Sequence, residues 1–405
     1  MTDLSDRRAG VPQLLLLLGA SSMSVLGAVL IAPVLPLMAQ HFAAVPGVAV
    51  LVPIVLTVPA LVIGLTAGFA GAIVDRLGRL RVLQAALVVY AIAGTAPLYL
   101  DDLGAIIATR VVVGLCEAAI MTSATTLIGD YWTGEQRNRY LGLQATVAAL
   151  SAVVFVALGG LLGTNGWRAP FWMYLLSIVL VLPMARVLGK PSPAGSARAG
   201  RTPVPWAAIA APCAVTLFGG VVFYALIVQL SYVLDGIGVT STGVIGAAVA
   251  VMSVATAVGG ALFGRLSRAG LRRLLAAEFA LSGAGLLVVF LTSSVLVVVA
   301  GAVITGFATG LMLPTLLTWA VQDLDYAQRG RGTGIWTGTL FIGEFVSPLV
   351  VVAIAGPAGG LQPALAVLGV LSIVFAAVLW WALARQAAAP GAEPTPAPHP
   401  SSGQR

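Results

Sequence analysis

Charge is what this chain has least of. Only 9% of its 405 residues are Asp, Glu, Lys or Arg, while 59% are hydrophobic and the mean hydropathy is +1.03. Soluble domains are about a quarter charged and about half apolar. A water-soluble core cannot hide this much apolar surface, so lipid is the solvent for much of the chain. The sequence also lacks the alternating segments of roughly ten residues that build a membrane β-barrel. Its apolar runs last about 20 residues, long enough for a helix to cross a bilayer with its own backbone hydrogen bonds satisfied.

Other scarcities exclude other chemistries. There are two cysteines, Cys116 and Cys213, both inside apolar runs, and they read as small buried side chains rather than redox or metal groups. The two histidines, His41 and His399, fall outside the predicted spans, and His41 is expected to be solvated. No nucleophile stands beside a base, so a membrane enzyme is the remote alternative, and no cofactor or metal is expected. No G-x-x-x-x-G-K-[ST] loop is present, which argues against ATP as the driving force. The first apolar run is too long for a signal-peptide core and no cleavage site follows it, so it is expected to stay as a helix.

What charge there is has a pattern. The net charge of +7 sits almost wholly in short loops between apolar runs, so topology explains it better than nucleic acid does. One charged hairpin between two apolar runs is Gly71 to Arg81, GAIVDRLGRLR. A degraded copy, GALFGRLSR, follows about 190 residues later at Gly260 to Arg268. A second pair agrees: Glu135-Gln136-Arg137 with Gly142 matches Ala327-Gln328-Arg329 with Gly334. An apolar chain repeated in parallel is a duplicated membrane protein.

Twelve spans are predicted, about Val11–Met38, Val48–Ala70, Val82–Tyr99, Ala105–Ile128, Leu141–Leu162, Pro170–Leu188, Trp206–Leu234, Thr240–Phe263, Leu274–Leu291, Val295–Ala320, Thr333–Ala355 and Pro363–Ala384. The fold class is therefore an all-α membrane protein of two six-helix halves, residues 11–188 and 206–385. A short N-terminus (1–10), a Pro/Gly/Ser-rich linker (189–205) and a tail expected to be disordered (386–405) complete the chain. With the N-terminus placed in the cytoplasm, 19 of the 21 Lys and Arg fall on that side. Both termini are then cytoplasmic by the positive-inside rule. Trp132, Trp206, Trp319, Trp380 and Trp381 lie near span ends and are expected to anchor at the interface.

The hairpin carries a resemblance. Gly71, Asp75, Arg76, Gly78 and Arg79 meet the pattern G-x-x-x-D-R-x-G-R-[RK], with Leu80 at the last position. On these residues, and over about Val11 to Ala384, the chain resembles the major facilitator superfamily. The resemblance implies a secondary transporter of a bacterial-type inner membrane, monomeric, taking a small-molecule substrate by alternating access. It implies that Asp75 latches onto the start of span 11, near Thr333, and holds the cytoplasmic side closed. Gly71 and Gly78 are expected to allow close approach and a sharp turn. The second copy has Gly264 where Asp75 would be, so the latch is expected to be one-sided.

Charges inside the spans are the remaining candidates. Ile106-x-x-x-Arg110-x-x-x-Gly114 follows the family's pattern for span 4, with Val113 where a Gln is often found. An arginine there is costly and rarely unpaired. Glu117 lies two helical turns on, about 10 Å along the axis. The run GLCEAA, Gly114 to Ala119, resembles the organic-anion branch of the family, where a glutamate here is implied to carry the coupled proton. Glu117 is thus the candidate proton carrier, and Arg110 the group that tunes it or binds a substrate anion. Glu344 lies in mid-span 11, where an unpaired carboxyl is expected to be neutral or to face water. Glu278, close to Arg272 and Arg273, is expected to form a structural ion pair or to snorkel. Ser24, Tyr224 and Gln229 are candidate cavity residues, although each alone is more often packing glue.

Span 5 departs from the drug:proton exporter pattern, with Phe155 and Val156 where Gly-Pro is usual, while span 1, LIAPVLPLMAQHF, looks exporter-like. Proton-coupled export of an amphipathic organic compound is the first reading. Proton-coupled uptake of an organic anion, a passive facilitator and a sensor built on the fold are the alternatives.

Overall fold

The computed structural model describes residues 10–188 and 204–388. Most of the expected linker and tail, with His399, lies outside them. Among the described residues there is no strand, and twelve helical spans are long and apolar enough to cross a membrane. In chain order the helices are α1 Val11–Val29, α2 Leu35–His41, α3 Val48–Thr66, α4 Ala70–Leu77, α5 Arg79–Thr95, α6 Leu103–Tyr131, α7 Gly134–Gly163, α8 Leu176–Val187, α9 Trp206–Gly236, α10 Thr242–Leu266, α11 Leu271–Phe290, α12 Val295–Gln322, α13 Tyr326–Ala358 and α14 Leu361–Ala388.

Proline decides where the first half departs from straight helices. Pro33 and Pro36 break span 1 into α1, a 3-10 turn at Ala32–Val34, and α2. Pro97 ends α5, which closes in a 3-10 turn at Ala96–Leu98. A proline has no N–H to give the carbonyl four residues back. Span 6 likewise opens with a 3-10 stretch, Ala169–Leu175, before α8.

The charged hairpin is a short helix and a turn. Asp75 and Arg76 are on α4, and Gly78 turns the chain into α5 with a φ of 93°. Only glycine takes that conformation without strain. Gly71 differs from expectation: it is helical, and a Cβ there would meet nothing within 4 Å. No close approach requires a glycine at that position.

The two halves meet along two crossings. Near the end away from the basic loops α7 lies on α10, where a Cβ on Gly160 would come within 2.6 Å of the Gly246 Cα. Nearer the basic loops α3 lies on α13, with a Cβ on Gly64 3.0 Å from the Gly338 carbonyl. Small residues let backbones touch where lipid offers no hydrophobic drive. Toward the basic loops α7 buries no residue before Phe155. Beyond Met252, α10 buries only Gly259, which packs on Phe307 of its own half. Between α7 and α10 the halves are therefore closed at one end and parted at the other.

Candidate functional site

Arg110 is 1% exposed, in the interior of α6. Its receptor is the broken end of α5. Because Pro97 lacks an N–H, the Ala93 carbonyl has no helical donor. Arg110 Nη2 donates to Ala93 O at 2.8 Å and to Gly94 O at 3.0 Å, and Nη1 donates to the Tyr174 hydroxyl at 3.0 Å. The guanidinium also lies 5.3 Å and 5.0 Å from the ring centres of Phe171 and Tyr174, a favourable cation–π distance. Carbonyl dipoles and ring faces stand in for the carboxylate partner expected of a buried arginine.

Glu117 is equally buried, at 1%. Its carboxyl occupies space left by Gly27 of α1, where a Cβ would fall 1.7 Å from Oε1. Tyr90 of α5 reaches it: the hydroxyl stands 3.4 Å from Glu117 Oε1 and 2.6 Å from the Met23 carbonyl. A tyrosine hydroxyl has one proton to donate. With that proton on Met23 O, the carboxyl can bond Tyr90 only by donating a proton of its own. The Tyr90 and Tyr174 rings are 5.0 Å apart, so two tyrosines fill the gap between Glu117 and Arg110. The two charges make no ion pair. Arg79 pairs instead with Asp75 and Asp130, and Arg168 with Asp101, at span ends and loops.

Tyr224 of α9 ties the halves by donating to the Ala28 carbonyl of α1 at 2.6 Å. Glu344, 6% exposed on α13, has no ion-pair partner among the described residues. Ser24 Oγ, one turn from Ala28, and Gln229 Nε2 are buried and have no hydrogen-bond partner among the described residues.

Two expectations, for Glu278 and Trp132, are corrected. Glu278 makes no ion pair with Arg272 or Arg273. It accepts from the Thr315 hydroxyl at 2.6 Å, while Arg272 lies 3.9 Å over Trp380. Spacings of five and six residues do not share a helix face. Asp75, the expected latch residue, pairs with Arg79 at 2.7 Å in this structure. Trp132 is no interfacial anchor: it is 6% exposed and packs edge-on against Tyr131 and Tyr140.

Tyr90, Tyr174 and Gly27 were missed from sequence. The available signal was a tyrosine deep in an apolar span, which seeks a partner for its hydroxyl.

The class this architecture defines is a two-halved α-helical membrane transporter. The chain belongs to the Major Facilitator Superfamily, whose profile matches residues 17–240 and again 210–404. Its members are transporters, not enzymes. The chain is 33% identical over 162 residues to a class C tetracycline resistance protein of Escherichia coli, covering 39% of this chain and 40% of that one. It is 28% identical over 121 residues to the multidrug transporter protein MdtP of Bacillus subtilis, covering 29% of this chain and 22% of that one. The matched stretch is thus less than half the length of either relative. Among solved structures, a bacterial homologue of the lysosomal transporter Spinster, inward-facing and unoccupied, superposes with a TM-score of 0.79 at 16% identity, covering 92% of this chain and 96% of that one. A D-xylose–proton symporter superposes with a TM-score of 0.76 at 14% identity, covering 91% and 97%. At such identities these two speak for the fold.

Proposed function

We propose that the protein exports a small amphipathic organic compound in exchange for protons, with Glu117 as the proton carrier. One observation carries the reading. A carboxyl sealed from solvent, with no cation paired to it, touches a tyrosine hydroxyl whose proton is already engaged. Such a group is stable in the membrane interior only while it holds a proton, or when a cationic substrate replaces that proton. Glu344 is the second buried acid, carried on α13 of the other half. Ser24 and Gln229 have unsatisfied polar atoms to offer a substrate, and the tetracycline and multidrug relatives support efflux.

The rest of the cycle follows the fold. The halves rock, and in the opposite state Asp75, released from Arg79, engages α13 and closes the basic end, with Arg76 and Arg79 beside it and Gly71 and Gly78 in the same hairpin. The basic end is cytoplasmic, the membrane is a bacterial-type inner membrane and the working unit is a monomer. Uptake of an organic anion needs Arg110 free to bind it, and carbonyls and Tyr174 occupy its Nη1 and Nη2, leaving only the buried Nε without a partner among the described residues.

The test is proton flux in proteoliposomes of fixed orientation, with a panel of lipophilic cations, organic anions and sugars. Substrate-triggered proton movement in wild type that Glu117→Gln loses is the expected result. Equal solute equilibration in both proteins without proton movement would mean a passive carrier.

A further inference from the structure

The two copies of the hairpin differ in one ion-paired arginine: Arg79 of the first half has carboxylate partners, and its counterpart in the second has none among the described residues. Arg79 is held by Asp75 and Asp130. Within the repeated hairpin sequence Arg268 matches Arg79 and Gly264 matches Asp75; past the hairpin, in the register that matches Gln136 to Gln328, Gln322 matches Asp130. Both acids are gone. Arg265, Arg268 and Arg273 have no ion pair among the described residues, and the nearest acids in sequence are engaged elsewhere. Asp323 meets Gln322, Asp325 caps α13 and Glu278 meets Thr315.

The local backbone adds to the imbalance. α11 opens at Gly270 with no side-chain cap and no acid in its first turn, and Arg272 and Arg273 stand there instead. A helix N-terminus carries partial positive charge and favours an anion. The end of α14 packs beside it and brings two more contacts of the same kind. Arg272 lies 3.9 Å over Trp380, and Arg385 lies 3.4 Å over Trp381. Both tryptophans are exposed, the placement of rings at headgroup level. Below them, Val370, Val374 and Val378 form an exposed stripe at helical spacing that ends at Trp381 and Arg385.

We infer that this corner binds the phosphate headgroup of an anionic membrane phospholipid, with one acyl chain along the α14 stripe. The arginines and the uncapped N-terminus of α11 supply the positive charge, and the stripe distinguishes a lipid from a free anion. The inference does not depend on the transport reading, because every residue in it lies on the second half, away from Glu117.

The experiment is native mass spectrometry of the full chain in detergent with phosphatidylglycerol, phosphatidylethanolamine or inorganic phosphate. Each arginine near a charged surface contributes enough that Arg268→Gln with Arg273→Gln is expected to weaken phosphatidylglycerol retention roughly tenfold or more. Arg137→Gln with Arg139→Gln, in a first-half loop, is expected to leave it unchanged. Thermal unfolding without lipid is expected to be the same for all three proteins, and stabilisation by phosphatidylglycerol to vanish only in the Arg268/Arg273 variant. Equal retention by that variant and wild type overturns the site. So does equal binding of phosphatidylethanolamine, and displacement of the lipid by inorganic phosphate would make it a free-anion site instead.

Discussion

The two halves of this transporter share a chain path and differ in what fills it. Gly78 and Gly270, with φ of 93° and 88°, each turn the chain into the third span of its half. Counted from those glycines, Arg110 and Glu117 fall opposite Ala302 and Thr309, and Tyr90 opposite Ser282. The first half spends this layer on a side-chain network from Ala93 through Arg110, Tyr174 and Tyr90 to Glu117. In the second half the matching hydroxyls bond back to their own helices, as Thr309 does to Thr305 O and Ser282 to Glu278 O. Its helices close directly on one another: a Cβ on Gly285 would fall 2.3 Å from Thr305 Oγ1. Phe218, Phe279 and Phe375 cluster edge and face nearby. Duplication supplied one scaffold twice, and buried charge was built into one copy of this layer. A symmetric backbone therefore does not require symmetric chemistry.

The contrast breaks most easily at Arg110. Arg110→Met strands two carbonyls and the Tyr174 hydroxyl, each worth ~1–3 kcal/mol when buried without a partner. A loss of roughly 3 kcal/mol or more is expected, read as a lowered midpoint of thermal unfolding in detergent. Ser282→Ala in the second half is expected to cost less than about 1 kcal/mol. Equal losses would mean that the first-half network is not what holds its helices together.

A middle-sized effect separates two glycines. Gly27→Ala puts a methyl against the movable end of Glu117, so substrate-triggered proton release should fall while thermal stability changes little. Gly220→Ala meets backbone, the Leu340 carbonyl at 2.6 Å. It should cost about 1–3 kcal/mol of stability through overpacking and leave the proton count per substrate unchanged. The reverse pattern would place the proton site in the second half.

The smallest effect belongs to Glu278→Gln. The amide oxygen still accepts from Thr315, so transport within about twofold of wild type and a stability change within about 1 kcal/mol are expected. Loss of proton coupling in this variant would end the asymmetry.

The fold was legible because lipid forces it. Twelve apolar runs and the repeat of the hairpin were enough to give the spans, and the helix ends differ from expectation chiefly where proline or glycine acts, as at Pro36, Pro97 and Gly78. The site was legible along one helix only. Arg110 and Glu117 announce themselves as charges two turns apart in span 4. Their partners come from spans 1, 3 and 6, and no spacing rule links Gly27, Tyr90 and Tyr174 to them. Glu278 shows the converse error: nearness in sequence to Arg272 and Arg273 suggested a pair, while the helix turned the carboxyl toward α12.

Pro97 has a consequence for how the chain enters the membrane. A translocating segment bearing an arginine meets the bilayer before the finished protein exists to shelter it. Synthesis runs from the N-terminus, so the Ala93 carbonyl that Pro97 leaves open, and the Gly94 carbonyl beside it, are laid down before Arg110 emerges. Spans 3 and 4 can therefore insert as one hairpin with the guanidinium already seated. Tyr174 and Phe171 arrive two spans later and close over a charge that is by then satisfied. A single ring without an N–H thus gives the arginine a receptor within its own pair of spans.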